Sequence, residues 1–363
     1  MFAPQTNPAS ESGFYVSKFS EVSNIPLQQS IADLGVAWNN FFASRKGKRK
    51  GQKMNPPKFK KRTNQQSARF RKGGFSIKAA KVFLAKIGCI KTKWSRPLPS
   101  EPSSVTVIKD TSGRYFLSFV VEIQPEIKPA SNPAIGIDLG LKVFAACSDG
   151  SRFSSPNDKK LDRRTRKAQR KLSRRILSSK RRERMRLRVA KLKAKLRDTR
   201  KDFLHKLSTK VVNKNQVIAL EDLNVSGLVK NRKLSRAISS AGWREFRTMC
   251  EAKSGKFGRE FVVISRWEPT SQVCSDCGYR WGKLDLKVRE IVCMNCGTLH
   301  DRDDNASKNI ENVGVGHTHD AKWIGRERKT SVEAAPVELS TRLEYEQRRQ
   351  CSTARESPRL LGR

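Results

Sequence analysis

Nowhere in the 363 residues is there an apolar run close to the ~18–20 residues of a membrane-spanning helix, and no N-terminal signal is visible. Both absences argue against a membrane role, and the expected location is cytoplasmic and nucleoid-associated. Acidic residues are also scarce: 34 Asp and Glu stand against 76 Lys and Arg, a formal net charge of +42. Self-repulsion of that size opposes a compact state unless a polyanion neutralises it, so nucleic acid is the expected partner. Cysteine is sparse outside two pairs. Cys89, Cys147 and Cys250 read as small buried apolar residues and Cys351 as incidental, which fits a reducing compartment. No internal repeat is evident.

The length allows two or three domains. Residues 1–17 read as unstructured. A helix is expected from about Pro26 to Ala43, with Leu27, Ile31, Leu34, Trp38 and Phe42 on one face packed into a core. Residues 45–72 form a basic loop interrupted by Phe59 and Phe70, equally compatible with RNA contact and with a solvated surface. From 73 to 123 the pattern is of short strands, clearest in a hairpin that turns at Asp110–Gly113, and a Pro-containing linker follows. Three antiparallel strands then open a new region, with Asp138 on the first.

Between Lys159 and Lys201 there are 22 basic and 3 acidic residues. The segment is helical by propensity, with Met185, Val189, Leu192, Leu196, Phe203 and Leu207 as an apolar seam. Charge so nearly of one sign gains by lying along phosphates, so Arg163, Arg164, Lys167, Arg170, Arg174, Arg175, Arg181 and Arg182 are candidate nucleic-acid contacts. Further on come a strand at Gln216–Leu220, a helix over Ser235–Lys253, a strand at Phe261–Ile264 and a helix from about Asp304 to Asn312. Residues 317–363 have no clear period.

Two features carry chemistry. Cys274, Cys277, Cys293 and Cys296 have the C-x2-C-x15-C-x2-C spacing of a closed four-thiolate zinc site, structural because it leaves no open coordination position. Acids stand at Asp138, after the Gln216–Leu220 strand at Glu221, and at Asp301, Asp303 and Asp304 before the last helix. Clustered acids suit a polyanionic substrate only with cations between them. Two Mg2+ ions about 3.5–4 Å apart would activate a water and stabilise a leaving phosphodiester oxygen. Spacing alone does not separate Asp303 from Asp301 or Asp304, and each acid singly also reads as a turn or cap residue.

Gly136-Ile137-Asp138-Leu139-Gly140, Leu220-Glu221-Asp222-Leu223, Pro269-Thr270-Ser271-Gln272, the two cysteine pairs and His300-Asp301-Arg302-Asp303-Asp304-Asn305-Ala306 resemble, in this order, the motifs of the transposon-borne TnpB family. These are RNA-guided DNA endonucleases long called transposases. The resemblance covers roughly residues 73–315. It implies a multidomain α+β and α/β protein: a helical recognition-lobe remnant with a basic loop at 18–72, a partial, wedge-like β-barrel at 73–124, and a RuvC/RNase H-like nuclease domain at 134–315. A zinc ribbon is inserted at 268–300, and a disordered tail occupies 316–363.

The resemblance further implies Asp138, Glu221 and Asp303 as catalytic magnesium ligands, the third because Asp303-Asp304-Asn305-Ala306 matches the family's Asp-x-Asn-Ala. The implied partners are a guide RNA from the transposon end and a double-stranded DNA target. Family members usually begin with a Tyr/Arg-rich strand and a further helix, which this sequence lacks, so an open barrel edge is expected. The alternatives are a guided binder that does not cut, a generic zinc-ribbon RNA-binding protein, and a strand-transfer enzyme.

Overall fold

In a computed structural model, residues 21–316 are described except for 62, 79–80, 130–131 and 286. The expected unstructured start and nearly all of the expected tail lie outside the described residues.

Helix α1 (Asn24–Arg45) forms where the 3.6-residue period placed it. Its stripe is not core. Leu27 is half-buried, while Ile31 (72%), Leu34 (49%), Trp38 (38%) and Phe42 (51%) are exposed. The helix instead docks near its start, with Pro26 and Gln29 buried. Ile25 lies close to Gly74, where an added Cβ would come within 2.8 Å of Ile25 Cδ1. Trp38, Phe41 and Phe42 pack on one another.

The strands that follow are β1 (Gln66–Arg71), β2 (Phe75–Lys78), β3 (Lys81–Leu84), β4 (Gly88–Lys91), β5 (Ser104–Lys109) and β6 (Tyr115–Val120). They form two antiparallel three-stranded sheets, β1-β5-β6 and β2-β3-β4, around one core of Phe70, Val82, Leu84 and Val105. Strand β1 lies in the stretch expected to be a basic loop. Its arginines alternate with Ala68 and Phe70, and the inward pair supplies a period of two that the charge conceals. Asp110 organises the β5–β6 turn. It accepts from the Ser112 amide (2.9 Å) and hydroxyl (2.6 Å) and from the Arg114 amide (3.0 Å) and Nε (2.9 Å). Burial works against its charge, yet these donors hold its carboxyl down to about 2.

The second core is a five-stranded sheet in the order β11-β10-β7-β8-β9. Strands β7 (Asn132–Asp138), β8 (Ala145–Cys147) and β9 (Arg152–Phe153) form the expected antiparallel meander. Strands β10 (Asn215–Glu221) and β11 (Glu260–Ile264) run parallel to β7. Ile135, Ile137, Ile218 and Leu220 are buried with Phe144, Leu204, Phe246 and Cys250.

The basic segment is not one helix. Helix α2 (Lys159–Ser173) ends before a turn in which Ser178 takes φ +70° and Ser179 caps α3 (Lys180–Lys214). α2 folds back against α3. Of the expected seam, Val189, Leu196 and Leu207 are buried and Met185, Leu192 and Phe203 half-buried. After the short α4 (Val225–Leu228), the helix expected over Ser235–Lys253 is split at Gly242 (φ +77°) into α5 (Ser235–Ala241) and α6 (Trp243–Phe257). The hairpin β12 (Glu290–Val292) and β13 (Leu299–Asp301) leads into α7 (Arg302–Gly314).

Candidate active site and metal centre

Strand register brings two of the acids together. Leu220 pairs with Ile137 on adjacent parallel strands, so Glu221 and Asp138 stand side by side at the carboxyl ends of β10 and β7. The third acid comes from α7, which lies on the face of the same strands. Gly136 makes that possible: a Cβ there would sit 2.1 Å from the Ser307 carbonyl oxygen and 2.3 Å from the Glu311 nitrogen. At Gly314, a Cβ would meet that of Ala219 at 2.4 Å. The helix backbone therefore touches the strands at its middle and at its last residue, and its first turn carries Asp303.

Asp138, Glu221 and Asp303 are each half-buried. Burial, then the charges of Asp303 and Glu221, push the Asp138 carboxyl up to about 7, partly offset by the Leu139 amide and by Arg302. Burial, then Asp222, raises that of Glu221.

The neighbouring acids differ in what holds them. Asp222 is paired with Arg247 (2.7 Å) and Arg266, and its pKa is lowered by them. Asp301 caps α7, accepting from the Asp303 and Asp304 amides at 2.9 and 3.2 Å, and Arg152 clamps Asp301 and Asp304 together at 2.8 Å each. Asp303 takes one bond, from Arg289 Nη1 at 3.1 Å. Among the described residues, Asp138 and Glu221 form no ion pair. Of the six acids, Asp222, Asp301, Asp303 and Asp304 are thus paired with arginines, and Asp138 and Glu221 are not. Arg152, Arg247, Arg266 and Arg289 were not singled out from the sequence, since nothing in their local pattern distinguishes them from the other basic residues.

The four cysteine sulfurs lie within 4.8 Å of one another and can hold a metal ion such as zinc. Gly278 (φ +77°) and Gly297 (φ +71°) supply the left-handed residue of each knuckle, donating to the Cys274 and Cys293 carbonyls at 3.0 and 2.8 Å. His300, buried at the end of the hairpin, places Nε2 3.0 Å from Cys274 Sγ. Of the scattered cysteines, Cys147 and Cys250 are buried, with thiols pushed up to about 12 by that burial, whereas Cys89 is exposed on β4 rather than buried.

Arg163, Arg164, Lys167 and Arg170 on α2, Arg174 and Arg175 in the turn, and Arg181 on α3 are exposed. Arg182 is turned inward, donating to the Leu172 and Arg175 carbonyls at 2.9 Å each, where it closes the end of α2. No helix among the described residues is long and apolar enough to cross a membrane.

Residues 118–232 match a family model described as "Probable transposase", and 243–310 match that of the Cas12f1-like TNB domain. A Streptomyces pristinaespiralis protein named "Putative RNA-guided DNA endonuclease" is 42% identical over 317 residues, 86% of this chain and 77% of that protein. The chain belongs to the TnpB family. Another TnpB-family relative, the Escherichia coli K12 "Putative RNA-guided DNA endonuclease InsQ", is 28% identical over 80% of this chain and 74% of its own. In a cryo-EM structure of a Cas12f1–sgRNA–target DNA complex, a chain aligns over 84% of this one and 75% of its own length, at 16% identity and a TM-score of 0.49.

Proposed function

We propose that the protein is an RNA-guided, Mg2+-dependent DNA endonuclease, with Asp138, Glu221 and Asp303 as its metal ligands on a RuvC-like sheet. The observation that supports this reading is that Asp138 and Glu221, neither in an ion pair among the described residues, end adjacent parallel strands, and that the charge of Asp303, at the start of α7, acts on Asp138 together with that of Glu221. Burial, and then the charges of Asp303 and Glu221, raise the Asp138 pKa, so the three carboxylates repel one another when ionised. Divalent cations relieve that repulsion and, when bound, activate a water and stabilise the leaving oxygen of the phosphodiester.

The chain's own residues do the rest. β7 and β10 hold Asp138 and Glu221 in register. Asp301 and Arg152 fix the first turn of α7, so that Asp303 faces the other two. Arg289 balances Asp303 from the cysteine-bearing segment. The exposed arginines of α2 and the α2–α3 turn are suited to the phosphates of a guide RNA and of target DNA. The four cysteines would hold structural zinc, and the two small sheets would serve as the wedge-like barrel.

The test is to co-express the chain with RNA transcribed from its own flanking DNA, isolate the complex and add Mg2+ and a plasmid library of candidate targets. Cleavage that Asp138→Ala abolishes while RNA still co-purifies is the expected result. Equal loss of RNA binding and cleavage would count against the assignment, and RNA retention without any cutting by the wild type would favour a guided binder.

A further inference from the structure

Two buried asparagines on α7 join the metal clamp to the acid site. Asn305 is 1% exposed and Asn309 0%. They lie four residues apart, on one face of the helix that carries Asp303. Asn305 binds the first knuckle as one peptide binds another: its Oδ1 accepts from the Ser275 amide at 2.8 Å and its Nδ2 donates to the Val273 carbonyl at 2.7 Å. Asn309 Nδ2 donates to the same Val273 carbonyl and to that of Thr270, both at 2.7 Å. The segment entering Cys274 is thus pinned at three backbone positions by two side chains. Asn309 Oδ1 is buried with no partner, so the side chain is placed for its donor at a cost.

The clamp reaches the same helix by a second route. His300 Nε2 lies 3.0 Å from Cys274 Sγ, and His300 directly precedes Asp301, the cap of α7. The Arg302 amide donates to the Arg289 carbonyl at 2.7 Å, and Arg289 donates to Asp303. Cysteine clamp and third acid therefore belong to one hydrogen-bonded body, which packs through α7 on the β7 and β10 strands holding the other two acids.

We infer that zinc at the cysteines sets where Asp303 sits, so that zinc and the divalent cation of the acid site bind cooperatively. Asn305 and Asn309 are the positioning residues that transmit the effect, with His300 a further link. The inference rests on the proposed metal role of Asp138, Glu221 and Asp303. Coupling between two ligands is reciprocal in binding free energy: zinc loading should tighten the acid site, and a cation at the acid site should tighten the hold on zinc.

The reciprocal effect can be read without any cleavage. Zinc transfer from the full-length protein to the chromophore 4-(2-pyridylazo)resorcinol is measured at equilibrium, with and without saturating Mg2+, and Mn2+ binding is titrated by electron paramagnetic resonance. In the wild type, Mg2+ should shift the equilibrium between protein-bound and chromophore-bound zinc about fivefold or more towards the protein. In Asp303→Asn, Mg2+ should have no effect, because the acid site is broken. In Asn305→Ala and Asn309→Ala, the two metals should bind independently. Wild-type Mn2+ binding that Asp303→Asn leaves unchanged would overturn the acid-site reading, and the coupling with it. Mn2+ binding that needs Asp303, together with a zinc equilibrium indifferent to Mg2+ in the wild type, would overturn the coupling alone. Because that outcome is read on the wild type, it stands even where an asparagine variant fails to fold.

Discussion

The cysteine clamp and the acid site are built on opposite plans. The clamp is local: its four ligands fall within 23 residues, and two glycine-ended turns shape it. The proposed acid site draws Asp138, Glu221 and Asp303 from more than 160 residues of sequence, and depends on strand register, one glycine and a helix laid across two strands. A local site can be read from spacing alone. A dispersed one requires knowing which acids are already neutralised, and that knowledge lies in arginines remote in sequence.

The sharpest way to break this comparison is to remove the acids one at a time. Loss of Asp138, Glu221 or Asp303 should lower cleavage by about 1,000-fold or more, since metal stabilisation contributes several kcal/mol. Asp304→Asn should cost less than about tenfold, because Asp304 serves only a half-exposed pair with Arg152. Cleavage rates of the purified RNA complex decide this.

Gly136→Ala comes next. With backbone atoms at 2.1 and 2.3 Å of the new methyl, α7 must lift from β7, at a cost of about 3 kcal/mol or more. Thermal melting should show a lowered midpoint, and an unchanged one would mean that the helix does not rest on the strand.

The effect of pH is smaller. The Asp138 carboxyl, raised to about 7, holds a proton below that value that a cation must displace. Metal affinity and cleavage should therefore rise with pH up to about 7 and then level. In the metal-free protein the sign reverses: a carboxyl raised on folding favours the folded state at low pH, and that contribution is lost as pH climbs from about 4 to about 7. Added Mg2+ should restore stability above pH 7.

The smallest effect concerns Asp110, held down to about 2 by Ser112 and Arg114. Its contribution is present above the ordinary carboxylate range and lost as pH falls from about 4 towards 2. Asp110→Ala should cost about 2 kcal/mol in denaturant unfolding without altering the metal sites.

Much of the fold was legible because its periods are strong. The hairpin at β5–β6, the meander after Asp138 and the parallel strands at 216–220 and 261–264 stand where alternation and apolar runs put them. The α1 stripe shows the limit, since a helical period marks an apolar face but not what covers it. Strand β1 was hidden because arginines occupy its outward positions. The break at Ser178 was missed because a basic helix and a basic helical hairpin have the same composition, and only one residue with positive φ separates them. At the site, the cysteines followed from spacing, and the three acid regions from position and family resemblance. Asp303 could not be told from Asp301 and Asp304 by local chemistry, because the proposed distinction rests on which arginine each meets, Arg289 for Asp303 and Arg152, some 150 residues away, for the other two.

The most direct test of that distinction sets Asp303→Asn beside Asp304→Asn in one guide-programmed cleavage assay, with Mn2+ affinity measured on the same preparations. Loss of cleavage and of metal in Asp303→Asn, with both kept in Asp304→Asn, is the predicted result. A dead Asp304→Asn beside an active Asp303→Asn would contradict the account.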